Sequence, residues 1–191
     1  MDRYLLSSVV NLLLLHPDLD DEVLEELDFI LSGKSINNPD IVGNVYLFDS
    51  VGNRAPTPQE RFLLQNLNLA CAQLAEYRQC KRSKVLFRVE SYYDAEDTKS
   101  NNSILYSTED EFFVIKSIVL VIQGNGIVCG MFCRKVEVDI PLFGVPHIMR
   151  VSNLNGRTEF VPFTEVRGLA IKMQVRNRFY VSPMCNHGEI D

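Results

Sequence analysis

The sequence predicts an α+β protein in which N-terminal helices pack on a C-terminal antiparallel β-sheet or small barrel. Two observations predict this class. Up to about residue 80, apolar residues recur at helical spacing, and from Val85 on they form runs rich in Val, Ile and Phe between turn residues. Because no helical pattern separates these later runs, we expect them to form an antiparallel sheet. The chain is therefore predicted to consist of a helical region over 1–83 and a β-module over 84–191.

Two helices are predicted before residue 34. The first covers about residues 4–15 and ends before Pro17, and the second follows Asp18 and stops at Gly33. Seven of the eleven residues 18–28 are acidic, which exceeds what the first turn of a helix needs. This acidic face is either a solvated surface or a contact for a basic partner, or for the protein's own basic residues. Its candidate contact residues are Asp21, Glu22 and Glu25.

A third helix is predicted from Thr57 to about Cys80. Thr57 can cap it, Pro58 suits its first position, and Glu60 completes a capping box. The stretch between Lys34 and Pro56 contains many turn formers and is predicted as a loop. Within that loop, residues 45–48 are either a short strand or a hydrophobic plug.

Seven strands are predicted in the β-module, and an acidic loop over 94–103 separates the first two. The strands cover residues 85–89, 112–122, 127–138, 147–151, 159–163, 169–175 and 179–181. Pro141, Gly144 and Pro146 mark a further loop. Three short turns predict hairpins, at residues 124–126, 153–156 and 176–178.

The composition is that of a globular intracellular protein. The chain has 191 residues, is 46% hydrophobic and carries a net charge of −6, which gives no general reason to expect a nucleic-acid or membrane partner. Its five cysteines fit no disulfide framework and follow no secretory signal. We therefore expect reduced, mostly buried thiols in the nucleus or cytoplasm.

No pattern predicts a metal site, a cofactor or an enzyme. Cys129 and Cys133 would lie about 13 Å apart along a strand, too far to share one zinc ion. No cysteine stands in a nucleophile context, and His147 is interpreted as a hydrogen-bonded structural residue. The glycines at 124 and 126 lie between strand patterns, which favours a turn over a phosphate-binding loop.

The main basic cluster lies where the helical pattern ends. It contains Arg78, Lys81, Arg82, Lys84 and Arg88, and the aromatic pair Tyr92 and Tyr93 follows it. Basic residues favour the C-terminal end of a helix because they complement its dipole. Basic residues interleaved with aromatic ones also suit a nucleic-acid strand. Both interpretations stay open at this stage.

Several segments of the C-terminal half carry a family resemblance. They are residues 113–118, Gly130-Met131-Phe132, residues 159–163, and the ending 180–183 with 189–191. Through these segments, residues 84–191 resemble the BAH-like β module found at the C-terminal end of many transposon-derived eukaryotic open reading frames. The resemblance does not cover residues 1–80. It implies binding of protein partners, often in chromatin, and some members of that family bind methylated lysine in an aromatic cage.

Taken together, these patterns predict a non-enzymatic protein-interaction module or complex subunit, with chromatin as one candidate setting. The ground is a well-formed core without a convergent polar site. The alternative is a nucleic-acid-binding protein that uses the basic cluster 78–88.

Overall fold

The computed structural model describes residues 40–69, 71–83, 85–92, 103–123, 126–142 and 145–184. Within these residues the chain forms the strands β1 (Asp40–Val42), β2 (Val45–Arg54), β3 (Leu74–Arg82), β4 (Val85–Arg88), β5 (Ile104–Ser107), β6 (Phe112–Gln123), β7 (Gly126–Leu142), β8 (Val145–Asn153), β9 (Thr158–Pro162), β10 (Val166–Val175) and β11 (Arg178–Pro183). Helix α1 (Pro58–Asn66) follows β2, and a 3₁₀ helix (Phe163–Glu165) follows β9. From Asp40 onward the chain forms one compact unit.

The fold is a predominantly antiparallel β architecture, so the predicted α+β class with N-terminal helices packed on a sheet is wrong. Strand β3 replaces the C-terminal part of the helix predicted from Thr57 to about Cys80. β1 and β2 lie in the stretch predicted as a loop, and β2 includes the short strand considered at residues 45–48. These strands belong to the same sheet as the strands after residue 84. The boundary expected near residues 82–84 lies between the paired strands β3 and β4. The helices predicted before residue 34, and all but the last residue of the loop predicted over 94–103, lie outside the described residues.

Six strands form a closed circuit of antiparallel pairings. β6 pairs with β5, β5 with β10, β10 with β11, β11 with β8, β8 with β7, and β7 returns to β6. All six strands contribute to one buried cluster, so this cluster fills the circuit. Its members are Ile104, Phe112, Val114, Val136, Ala170 and Val181, with Met149 and Val151 partly buried against them.

A second layer extends from the far end of β6. Residues 118–121 of β6 pair with β3, β2 lies along the other edge of β3, and β1 follows β2. β4 pairs with the C-terminal half of β3, in line with β6. The largest core cluster lies between these strands and the circuit, and it includes Val45, Leu47, Phe87, Leu105 and Val166.

Strand β6 is buried on both faces, which explains its nearly unbroken apolar sequence. The side chains of Phe113, Ile115, Ile118 and Leu120 enter the largest cluster, while Val119 and Val121 enter another cluster, beneath α1. Helix α1 contributes its buried residue Leu64 to the same cluster as Val119 and Val121.

The predicted capping box is confirmed, but the helix is much shorter than predicted. Thr57 accepts a hydrogen bond from the backbone N–H of Glu60, and Glu60 accepts one from the backbone N–H of Thr57. The helix ends after nine residues. Asn68 adopts a left-handed backbone with φ 58°, and Leu69 N–H donates to the carbonyl of Leu64 at 2.8 Å, which closes a Schellman motif.

Two of the three predicted hairpins are confirmed. Gln123 lies opposite Gly126 between β6 and β7, although Gly124 and Asn125 lie outside the described residues. Val175 lies opposite Arg178 between β10 and β11. The middle hairpin is wrong, because β8 and β9 pair with successive parts of β7 instead of with each other. Pro141 and Pro146, predicted to mark a loop, lie within β7 and β8.

Candidate interaction surface

Four side chains form a continuous row across β1, β2, β3 and β4. In the register of these strands Ile41 lies opposite Tyr46, Tyr46 opposite Lys81, and Lys81 opposite Leu86. Their neighbours along the strands, including Val45, Leu47 and Phe87, enter the core. Because successive side chains of a strand point to opposite faces, the row lies on the face turned away from the core. We call this row, together with Phe48 beside it, the outer face.

The outer face is apolar, aromatic and basic. The relative exposure is 59% for Ile41 and 42% for Tyr46, and Phe48, Lys81 and Leu86 are half-buried. These five positions include no acidic residue. Protein interfaces are enriched in aromatic residues at their centres and depleted of acidic ones, and this surface has the same character.

A buried polar cluster flanks the outer face, because Gln79 and Arg88 lie two residues from Lys81 and Leu86 along β3 and β4 and therefore on the same face of the sheet. Gln79 is buried next to Lys81, and its side-chain amide donates to the Tyr92 hydroxyl at 2.8 Å and to the Asp49 carboxylate. The side-chain oxygen Oε1 of Gln79 accepts a hydrogen bond from Arg88 Nε at 3.2 Å. The Arg88 guanidinium lies 4.9 Å from the centroid of the Tyr92 ring. Each polar group of Gln79 therefore has a partner, which fixes this part of β3 and β4 in one arrangement.

The structure separates the residues of the predicted basic cluster. Lys81 lies on the outer face, whereas Arg88 and Tyr92 are buried in the polar cluster beside it. Arg82 lies opposite Val45 on the core side, and its Nη1 donates to the carbonyl oxygens of Phe163 and Val166 at 2.7 and 2.9 Å. Arg78 is exposed. The interpretation of these basic residues as the C-terminal end of a helix is wrong, because Arg78, Lys81 and Arg82 belong to strand β3.

Lys84, Tyr93 and the acidic residues Asp21, Glu22 and Glu25 lie outside the described residues. Sequence reasoning missed Ile41, Tyr46, Phe48 and Leu86 as surface candidates. The signal for two of them was present, since residues 45–48 alternate in a way that places Tyr46 and Phe48 on one face of a strand.

The described cysteines have the environment of packing residues. Cys71, Cys80, Cys129 and Cys133 are free thiols, and the last three are buried in the largest core cluster. Burial raises the pKa of the Cys129 thiol to about 12 and holds the pKa of Cys133 well above its ordinary value. Such thiols are poor nucleophiles at neutral pH because the thiolate is the reactive form.

The described residues contain no group of three or more His, Cys, Asp and Glu side chains arranged to hold a metal ion. His147, which was interpreted as a hydrogen-bonded structural residue, is exposed on β8. A cleft of about 40 Å³ lies beside Phe113, Phe160 and Val161, and this volume is enough for a few water molecules. Its acidic lining residues include Glu111, which pairs with Lys135, and Glu159, which pairs with Arg157.

The described part of the chain is thus a predominantly antiparallel β protein with one short capped helix and a row of apolar, aromatic and basic side chains on its outer face. Comparison with protein-family models, with curated proteins and with solved structures finds no match for this chain. In the described part, no helix has both the length and the apolar character that crossing a membrane requires.

Proposed function

We propose that this protein is a non-enzymatic protein-interaction module or complex subunit, and that the outer face binds its partner. The observation that carries the proposal is the row of Ile41, Tyr46, Lys81 and Leu86. In this row the exposed side chains of Ile41 and Tyr46 lie on the same face as the Lys81 side chain. Tyr side chains in such surroundings supply large contact area and a hydroxyl for a polar bond at low conformational cost.

The polar cluster beside the row also supports this proposal. Lys81 lies between Gln79 and Arg82, whose side chains are both held by hydrogen bonds on opposite faces of β3. The strand that presents Lys81 is therefore fixed before any partner arrives. A surface that is already ordered loses less conformational entropy on binding, so more of the contact energy appears as affinity.

Two further features favour a setting inside the cell, in the nucleus or cytoplasm. The described cysteines are free thiols, as is typical of proteins in reducing compartments. The resemblance of residues 84–191 to BAH-like modules adds chromatin proteins to the candidate partners.

The alternative function is binding of a single-stranded nucleic acid on the same surface. Tyr46 and Phe48 lie on one face of β2 next to Lys81, and aromatic rings beside a cation suit stacked bases and a phosphate. The two functions differ in their response to salt, since each phosphate that is neutralised releases counterions and makes affinity fall steeply as salt rises.

Affinity purification with matched variants tests the proposal. We expect wild-type protein to retain a stoichiometric protein partner, and Ile41→Ser/Tyr46→Ser to lose it. Ile122→Ser/Ile127→Ser is the control, because it also removes two exposed apolar side chains, at 50% and 53% exposure, but on the β6–β7 hairpin and not on the outer face. Equal recovery of the partner by both double variants would refute the assignment of the surface. Recovery of nucleic acid in place of protein, lost with Lys81→Glu, would favour the alternative.

A further inference from the structure

The end of the β10–β11 hairpin extends beyond the strands on either side of it. β5 pairs with β10 at residues 166–169, and β8 pairs with β11 at Tyr180 and Val181. Among the described residues, those from Ile171 to Phe179 pair with no strand outside this hairpin. We call residues 171–179 the arm. Its outer edges present backbone N–H and C=O groups to which a further strand can pair.

The arm and its base carry basic side chains and no acidic ones. From Val166 to Met184 there are four basic side chains and no acidic one. Arg167 pairs with Asp110 at 2.9 Å. Arg176 and Arg178, at the end of the arm, are both exposed, and neither has an ion-pair partner among the described residues. Two exposed arginines, for which the described part of the chain supplies no ion-pair partner, are therefore available to an acidic ligand at the end of the arm.

Apolar area adjoins these two arginines. Val175 is 57% exposed and lies directly opposite Arg178, so the two side chains share one face of the arm. Met173 lies on the same face, opposite Tyr180. A ligand on this face therefore meets a guanidinium and an aliphatic surface side by side.

We propose that the arm binds an extended acidic peptide segment of a protein partner, with carboxylates against Arg176 and Arg178 and an apolar side chain against Val175. Pairing of the peptide with an open edge of the arm would supply main-chain hydrogen bonds. The two arginines would supply charge-assisted hydrogen bonds to carboxylates, which arginine binds in a bidentate manner. This surface is separate in sequence from the outer face and does not depend on it.

The aromatic residues at the arm and its base, Phe179 and Tyr180, favour a peptide over a nucleic acid. Tyr180 is buried, and Phe179 is half-buried with the Lys172 ammonium 5.8 Å from its ring centroid. The buried Tyr180 ring therefore offers no face on which a base can stack, and the Lys172 ammonium lies over one face of the Phe179 ring. The net charge of −6 also repels a long polyanion, whereas a short acidic segment responds mainly to charges within a screening length of about 8 Å.

Fluorescence anisotropy with a labelled peptide of alternating Glu and Val tests this inference in the full-length protein at about 150 mM salt. We expect Arg176→Glu/Arg178→Glu to weaken binding by about tenfold or more, since one charge-assisted hydrogen bond accounts for that much. Val175→Thr should weaken binding less, but measurably. The control Arg61→Glu/Arg78→Glu makes the same change in net charge at two exposed sites elsewhere and should leave the affinity within about twofold.

Three results would overturn the inference. These are unchanged affinity in Arg176→Glu/Arg178→Glu, equal loss in the control, and tighter arginine-dependent binding of a labelled oligothymidine than of the peptide. If the Glu variant does not fold, as judged by circular dichroism, Arg176→Gln/Arg178→Gln replaces it with the same expectations. Failure of this experiment leaves the outer-face variants as a separate test of the proposed function.

Discussion

Arg82 Nη1 donates a hydrogen bond of 2.7 Å to the carbonyl oxygen of Phe163, which lies 81 residues further along the chain. A second bond from the same atom reaches the carbonyl of Val166 at 2.9 Å. One side chain of β3 thus holds both ends of the 3₁₀ turn that connects β9 to β10. The Arg82 guanidinium, which the sequence suggested as a partner contact, therefore makes hydrogen bonds within the protein.

We predict that Arg82→Met lowers the free energy of unfolding by about 1–3 kcal/mol, because two buried carbonyl groups lose their charged donor. Urea denaturation measures the change. Arg78→Met is the control, since Arg78 is exposed on the same strand and should change stability by less than about 0.5 kcal/mol. Equal losses in the two variants would show that the Arg82 contacts contribute nothing specific.

A pH-dependent contribution is expected from Glu60. Burial alone would raise the pKa of Glu60, but hydrogen bonds from Arg54 and Thr57 outweigh this effect and hold the pKa below its ordinary value. A carboxylate with a lowered pKa stabilises the fold above its unfolded-state pKa of about 4.3, and this stability is lost as the pH falls through the lower folded-state value. Glu60→Gln should therefore be less stable than wild type at pH 7, and the difference in urea midpoint should shrink near pH 3. A difference that does not change with pH would contradict this assignment.

A close approach is expected to make Gly130 intolerant of a side chain. The ring of Phe160 lies over Gly130, in the space that a Cβ atom would occupy. Gly130→Ala should therefore destabilise the protein by about 1–3 kcal/mol through overpacking. Gly126→Ala provides the control, because no heavy atom lies within 4 Å of a Cβ atom at that position. Thermal melts of the two variants should differ clearly, and similar melting temperatures would mean that Phe160 moves aside at little cost.

The thiols should show a graded reactivity. All five cysteines should be alkylated in the unfolded chain without added reductant, as the absence of a disulfide framework predicts. In the native protein Cys80, Cys129 and Cys133 should be protected, because they are buried and burial raises their pKa. Mass spectrometry after native labelling checks this. Rapid native labelling of Cys133, which is fully buried, would contradict the packing of β7.

The sequence was informative wherever a local chemical signal decided the structure. The Thr57–Glu60 capping box, the Gly126 hairpin and the Arg176–Arg178 hairpin were all predictable from their own residues. The main error came from β3. Leu74 packs beneath α1 and Ala75 packs in the largest cluster, so this strand is buried on both faces. A strand of this kind lacks simple alternation, and its apolar residues can match helical spacing by chance.

The candidate surface was predictable only in part. Lys81 was a candidate from sequence, but its neighbours in the row come from β1, β2 and β4, and that register is set by pairing between distant segments. The end of helix α1 was also predictable, because Asn is often found in the left-handed position after a helix, and Asn68 occupies that position here. The other residues of the outer face are brought next to Lys81 by strand pairing, such as that of β2 with β3, which local sequence patterns do not reveal.

Photo-crosslinking from position 46 tests the central claim most directly. A benzophenone amino acid in place of Tyr46, introduced in cells of the source organism, should crosslink to a discrete protein partner, because Tyr46 lies at the centre of the outer face. The same group in place of Phe62, which is exposed on α1, should give no such product. A protein adduct at position 46 alone is the result we predict. An adduct with nucleic acid alone, or identical protein adducts at both positions, would contradict the assignment of the outer face as a protein-binding surface.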